Sequence, residues 1–267
     1  MIKKIIRKID SVILGGLLTR YYQKYNNDRI LANFTEYGAF DYGFNVQYRK
    51  NNLSLLNILS DKYGSDKGES SPDNNPYDWS SHNYTDFYSL IFGLRRNDVL
   101  SVVECGLGTN NPMLASSMGS NGRPGASLRM WRDYFPNATI VGCDIDSDIL
   151  FSEERIKTFQ CDQTSISSIK TFLKNAELVE NSVDIIVDDG LHDYSAGVCF
   201  FENMIAYLRL DGMYIIEDVI FDDVIKYKNY FLSQEDAFQA KFIYCKSPLI
   251  TSFADNHLIC ITRKTIV

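Results

Sequence analysis

The sequence predicts an α/β protein: a mostly parallel, seven-stranded sheet with helices on both faces, a C-terminal antiparallel hairpin and an N-terminal helical extension. Three observations carry this. From about residue 98, apolar runs alternate with stretches of helical period, which is the pattern of βαβ units. Two of those runs end in paired carboxylates, Val183-Asp184-Ile185-Ile186-Val187-Asp188-Asp189 and Gly212-Met213-Tyr214-Ile215-Ile216-Glu217-Asp218. The last two runs, Phe242-Ile243-Tyr244 and Leu258-Ile259-Cys260-Ile261-Thr262, close the chain as a hairpin.

The elements are read in chain order. Lys3-Lys4 before Val12-Ile13-Leu14 imitates a signal peptide, but Asp10 interrupts it. Ile2, Ile5, Ile6, Ile9, Val12, Ile13 and Leu17 repeat at helical spacing and give an amphipathic helix. That helix is expected to pack on the body or on another subunit, which is a route to a homo-oligomer. Nothing approaches the roughly 20 apolar residues of a membrane span. Asn26-Asn27-Asp28 breaks the helix, and Leu53, Leu55, Leu56, Ile58 and Leu59 suggest a short second one. Residues 60–81 are polar and rich in breakers, a loop long enough to serve as a lid. Phe87, Leu90, Ile91 and Leu94 fall on one face of a helix over 84–94. Residues 1–97 therefore form a helical extension with a substrate or lid loop, and 98–267 the sheet domain.

Within that domain, strands are expected at 99–104, 139–144, 158–161, 183–188 and 213–216. Helices are expected at 127–134, 165–175 and 196–208. The composition, 45% hydrophobic and 23% charged, is that of an ordinary globular protein. A net charge of −7 without a basic block argues against nucleic acid as a partner. Some of the 17 Tyr and 16 Phe are candidates to line a pocket. Cys105, Cys143, Cys161, Cys199, Cys245 and Cys260 lack metal-type spacing and read as thiols of a reduced, cytoplasmic protein.

The chemistry gathers at strand ends, where open α/β sheets bind ligands. Glu104-Cys105-Gly106-Leu107-Gly108 lets the backbone approach a ligand closely at the first strand–helix turn. Asn111 stands where a nicotinamide-type motif has its third glycine, and Asp144 lies beyond the usual interval of about 20 residues. Asp144 suits ribose hydroxyls, although Asp144 and Asp146 are also plausible helix caps, and Asp162 suits an adenine amino group or a loop cap. Asp188, Asp189, Glu217, Asp218 and His192 suggest a divalent-metal site with a general base beside it. The plain alternative has Asp188 and Asp189 capping the next helix, with Glu217 and Asp218 on a solvated loop. His82 is a candidate pocket residue, His257 reads as a loop residue, and Lys67 reads either as a ligand contact or as a solvated lysine.

Together Glu104-Cys105-Gly106-Leu107-Gly108, Gly125-Ala126-Ser127-Leu128-Arg129-Met130-Trp131 and Val141-Gly142-Cys143-Asp144 resemble the class I S-adenosylmethionine-dependent methyltransferases. Ser65-Asp66-Lys67-Gly68, His82, Tyr84 and Asp188-Asp189-Gly190-Leu191-His192 are similar to the metal-dependent sugar O-methyltransferases of macrolide biosynthesis, the mycinamicin and macrocin type. The resemblance runs from about 60 to 220, with an apparent insertion near 114–120. It implies a Rossmann-like fold, S-adenosylmethionine and a divalent ion, Mg²⁺ first, as cofactors, and a small-molecule sugar or sugar-nucleotide as acceptor. It implies Asp189, Glu217 and Asp218 as metal ligands, His192 as base, and Glu104, Gly106, Gly108, Ser127, Asp144, Asp162 and Asp188 on the cofactor side. The settings it suggests are polysaccharide or glycosylated-metabolite synthesis. Competing readings are a catechol or phosphate-linked acceptor, a metal-dependent hydrolase or hydroxylase on the same sheet, and a non-catalytic nucleotide-binding module.

Overall fold

The structure is a computed structural model that describes residues 45–47, 53–68, 75–77, 79–246 and 256–264. The expected N-terminal amphipathic helix, the break at Asn26-Asn27-Asp28 and part of the 60–81 loop lie outside these residues. Among the described residues, no helix is long and apolar enough to cross a membrane.

Among the described residues nine strands form one sheet: β1 (Asn45–Gln47), β2 (Ser101–Cys105), β3 (Thr139–Asp144), β4 (Ser152–Glu153), β5 (Ile156–Gln160), β6 (Val183–Asp188), β7 (Leu208–Ile216), β8 (Phe238–Lys246) and β9 (His257–Arg263). Their spatial order is β1-β8-β9-β7-β6-β2-β3-β5-β4. The seven expected strands are its body, and the short β1 and β4 are additions at its two edges. β2, β3, β5, β6 and β7 run parallel, while β9 lies antiparallel to β7 and β8.

Side-chain alternation sorts the core into two layers. Val102, Ile140, Ile185, Val187 and Ile215 face α1 (Leu55–Tyr63), α2 (Tyr84–Phe92) and α3 (Ala126–Tyr134). Val103, Val141, Ile186, Tyr214 and Ile216 face α4 (Ile166–Asn175), α5 (Tyr194–Met204) and α6 (Phe221–Leu232). The sheet is thus covered on both sides, as continuous apolar strands require. Leu56, Tyr84, Phe87 and Tyr88 share one core with the strands, so α1 and α2 pack as part of the sheet domain's body.

Several helix ends follow from local chemistry. The Ser54 hydroxyl accepts from Asn57 N at 3.2 Å, and Gly64 closes α1 at φ 76° with its N–H on Ser60 O. Asp193 caps α5 by accepting from Ser195 N and Ala196 N.

Some expectations need correction. The helix expected over 196–208 is α5, starting earlier, followed by a 3-10 turn at Ile205–Tyr207. Leu208 instead opens β7, because it pairs with Val183 before an irregularity near Gly212 restores register at Ile185–Met213. On α2 the buried face is Tyr84, Phe87 and Tyr88, whereas Leu90 and Leu94 are exposed. His257 is not a loop residue but a buried member of β9, and α6 was not foreseen. All six cysteines are free thiols.

Burial pushes His257 down to about 4, against a hydrogen bond to Val219 O that works the other way. A neutral histidine in the fold and a chargeable one in the unfolded chain means stability is lost as pH falls from about 6.5 to about 4. Buried acids such as Asp188, raised to about 6, slope the opposite way over part of that range. The test is therefore a difference: in denaturant titrations at several pH values, wild type should lose about 2–3 kcal/mol relative to His257→Asn between pH 7 and 4.

Candidate active site

Topology first fixes where the site is. From β2 the chain goes outward to β3 and β5, then returns across to β6 and β7, so the winding reverses between β2 and β6. Ligand crevices form outside such switch points. A cavity of about 280 Å³ opens there. It is walled by Cys105–Gly108 after β2, Asp144 at the end of β3, Cys161–Thr164 after β5, Asp189–His192 after β6 and Asp218 after β7. Ser65, Asp66, Lys67 and Tyr77 close it from the N-terminal side.

The turns at the strand ends are tied together by backbone. Gly106 N donates to Cys143 O, Asp189 N to Cys105 O and Glu217 N to Asp188 O, each at 2.9 Å. Gly106 sits at φ 93°, and a Cβ there would lie 1.9 Å from Asp189 O. Its glycine is demanded by this close approach of the β6 turn. Asp144 holds the glycine turn in place, accepting from Leu107 N at 2.7 Å and from Asp146 N at 2.9 Å. Asp146 in turn caps the short helix Ser147–Ile149.

Glu104 is fully buried and accepts from Ser127 Oγ at 2.5 Å and from Trp131 Nε1. It lies behind the cavity, whereas Gly106, Gly108, Ser127, Asp144 and Asp162 line it. Asp162 also closes a loop through Thr164 N and Oγ1. Asp188, assigned from the sequence to the cofactor side, points beneath α5 and is not among the lining residues. Burial pushes its carboxyl up to about 6, opposed by His192 and by a hydrogen bond from Gln163 Nε2 at 3.1 Å.

The plain alternative for the acidic residues does not hold. Asp193 caps α5, not Asp188 or Asp189, and Glu217 is 2% exposed rather than solvated. One oxygen each of Asp189 and Asp218 and one nitrogen of His192 lie within 4.8 Å of one another. His192 Nε2 stands 3.9 Å from Asp218 Oδ2, and His82 Nε2 3.5 Å from Asp218 Oδ1. Tyr84 donates to Asp218 Oδ1 at 2.7 Å. Burial works to raise Asp218, but His82, His192 and Tyr84 outweigh it and hold the carboxyl below the usual range. Glu217 is turned away from this trio: Lys67 Nζ donates to its Oε2 and Tyr88 to its Oε1. His192 and Asp218 both adopt positive φ, 56° and 51°, a conformation uncommon for non-glycine residues.

The sequence left Lys67 open between two roles; it is 2% exposed and bonded to Asp189 Oδ2 at 2.6 Å and to Glu217. Burial pulls its ammonium downward, but Asp189, Glu104 and Glu217 carry it well above the ordinary lysine value. The donor set suits a hard divalent ion: carboxylates at two strand ends, an imidazole and an excess of negative charge.

Sequence reasoning missed Gln163, Tyr88 and the role of Tyr84. Gln163 bridges two turns, donating to Asp188 Oδ1 and accepting from Leu191 N at 2.7 Å, the residue before His192. No local signal marks it.

The fold is a Rossmann-like α/β sheet, with the β5-β3-β2-β6-β7-β9-β8 body, the glycine turn after β2 and the acid closing β3. The curated proteins this chain is similar to are named as O-methyltransferases. The 8-demethyl-8-alpha-L-rhamnosyl tetracenomycin-C 2'-O-methyltransferase of Streptomyces olivaceus is 30% identical over 161 residues, 60% of this chain and 36% of its own length. The mycinamicin VI 2''-O-methyltransferase of Micromonospora griseorubida is 32% identical over 139 residues, 52% of this chain and 32% of its own. The demethylmacrocin O-methyltransferase of Streptomyces fradiae is 30% identical over 143 residues, 53% and 33%. The chain therefore spans about a third of the length of these relatives. No family model matches it. The MycE methyltransferase of the mycinamycin biosynthetic pathway, solved with Mg and SAH, is 28% identical over 62% of this chain and 37% of its own, with a TM-score of 0.47.

Gln163→Leu should strip a donor from buried Asp188 and the acceptor from Leu191 N. The expected cost is about 2–3 kcal/mol in chemical denaturation, several times that of an exposed polar substitution.

Proposed function

We propose that this chain is an S-adenosylmethionine-dependent, divalent-metal-assisted O-methyltransferase acting on a sugar hydroxyl. The supporting observation is the meeting of Asp189, His192 and Asp218 in the same cavity as the Gly106–Gly108 turn, so that a metal ligand set and a donor pocket share one crevice. The sugar acceptor is suggested by a relative whose name describes a rhamnosyl group on tetracenomycin-C and a methyl transfer to its 2'-oxygen. A nucleotide-linked sugar, or a role in polysaccharide synthesis, would use the same chemistry on another carrier.

A sugar hydroxyl ionises far above neutral pH, so transfer needs its proton removed as the oxygen becomes nucleophilic. Asp189 and Asp218 would hold a divalent ion, with Glu217 behind them, and the ion would supply Lewis-acid stabilisation of the developing alkoxide. His192 Nε2 takes the proton, and Asp218 stabilises the resulting imidazolium from 3.9 Å. Asp144 fixes the glycine turn that receives the methyl donor, Asp162 offers an acceptor for an adenine amino group, and Ser127 and Glu104 brace the floor. Asp188 acts through Gln163 on the His192 turn. Residues 1–97 are assigned to the acceptor side, since Ser65, Asp66 and Tyr77 wall the cavity there.

One observation favours a second role for His192: its nitrogen is within ligand distance range of both carboxylates. The two roles separate by measurement. As a base, His192→Ala lowers turnover by roughly 10²-fold or more while leaving S-adenosylhomocysteine and Mn²⁺ affinities unchanged; as a ligand, it weakens Mn²⁺ binding.

Isothermal calorimetry should give micromolar binding of S-adenosylmethionine or S-adenosylhomocysteine, and no heat at millimolar concentration would overturn the proposal. A methyl-transfer screen over glycosylated polyketides and nucleotide sugars then identifies the acceptor carrier. Treatment with EDTA should abolish transfer and added Mg²⁺ restore it; full activity in chelator removes the role given to Asp189 and Asp218.

A further inference from the structure

Lys67 is the only lysine or arginine in the buried set among the described residues, and it is surrounded by acids. Its Nζ bonds Asp189 Oδ2 at 2.6 Å and Glu217 Oε2, and lies 3.6 Å from Glu104 Oε1. Its backbone is locked. Thr85 N donates to Lys67 O at 3.0 Å, and a Cβ on the following Gly68 would meet Thr85 Oγ1 at 1.9 Å. Only the side chain has freedom to move. The oxygen it occupies on Asp189 belongs to the same carboxylate that has an oxygen within 4.8 Å of a His192 nitrogen and an Asp218 oxygen.

We propose that Lys67 is a built-in competitor of the divalent ion: it neutralises Asp189 and Glu217 when no metal is bound, and metal entry requires its ammonium to withdraw toward Glu104. This rests on the metal site proposed above. A divalent ion binds carboxylate oxygen at about 2.0–2.6 Å, and an ammonium at hydrogen-bond distance from the same carboxylate repels it strongly in a cavity screened from water. Glu104 offers the withdrawn ammonium a fully buried partner already within 3.6 Å. Lys67 is thus a positioning residue with two berths. It sets how tightly metal is held and keeps the acids paired in its absence.

The test is Mn²⁺ binding to the chelator-stripped full chain, by calorimetry and by the metal-induced shift in melting temperature. Lys67→Met should bind Mn²⁺ at least about tenfold more tightly than wild type and gain more melting temperature from it. Lys67→Arg, which keeps the charge, should bind no tighter than wild type. If Lys67→Met does not fold, the double variant Lys67→Met, Glu104→Gln removes one charge of each sign and is compared with Glu104→Gln for the same gain. Equal or weaker Mn²⁺ binding in the folded Lys67→Met chain, with wild type binding normally, overturns this inference and leaves the metal site standing. Absence of Mn²⁺ binding in wild type and both variants overturns the metal site and this inference together.

Discussion

Carboxylates buried at the ends of parallel strands are the constraint on which this structure turns. Glu104, Asp188 and Glu217 are nearly inaccessible, and Asp189 and Asp218 are close to them. Burying a charge without partners is far more costly than any single packing contact recovers. The surrounding elements can be understood as the partners this demands. α2 sends Tyr84 to Asp218 and Tyr88 to Glu217, α3 sends Ser127 and Trp131 to Glu104, and the segment before α2 sends Lys67 to the centre. Burial, with the nearby acids, keeps both phenols well above the ordinary tyrosine value, so they remain donors throughout the physiological range. Lys67, Tyr84 and Tyr88 are therefore not a decoration on a finished sheet. Without them the strand ends would hold unpaired acids.

Rigidity in the rest of the crevice follows from the same crowding. The turns after β2, β6 and β7 hydrogen-bond to one another past the ends of the strands, and Gly106 lets two of them touch. His192 and Asp218 are held at positive φ, at a cost of order 1–3 kcal/mol each. Gln163 helps maintain the first by fixing Leu191 N.

What was legible in the sequence divides along sequence distance. β2, β3 and β6 could be read because β-branched residues fill both faces, and the paired acids could be read because they terminate such runs. The meeting of Asp189 and Asp218 with His192 was legible for the same reason, as chemistry displayed at strand ends. Lys67 was not, since its partner Glu217 is 150 residues away and a lysine in a polar loop ordinarily points to water. Tyr88 and Gln163 carry no local mark either. On α2 the apolar period pointed to Leu90 and Leu94, yet the helix buries its tyrosines, because phenols are what the acids beneath it need. α6 and the early start of β7 were obscured by the Asp211-Gly212 irregularity and by an acidic first turn, Asp222 and Asp223.

The two acidic pairs finally show how adjacent residues of one type come to differ. In each pair the first acid continues its strand and is buried, 4% exposed at Asp188 and 2% at Glu217, while the second begins the turn and faces the cavity. The buried members are on opposite faces of the sheet: Asp188 follows Ile186 into the layer beneath α5, and Glu217 follows Ile215 into the layer beneath α2. Each meets a different support there, an amide from Gln163 in one case, an ammonium and a phenol in the other. Desolvation raises both, so these two are anchors that tie the turn to the core. The half-buried members, Asp189 and Asp218, are left to present their oxygens to a shared space, which is the division of labour that a metal-bearing crevice requires.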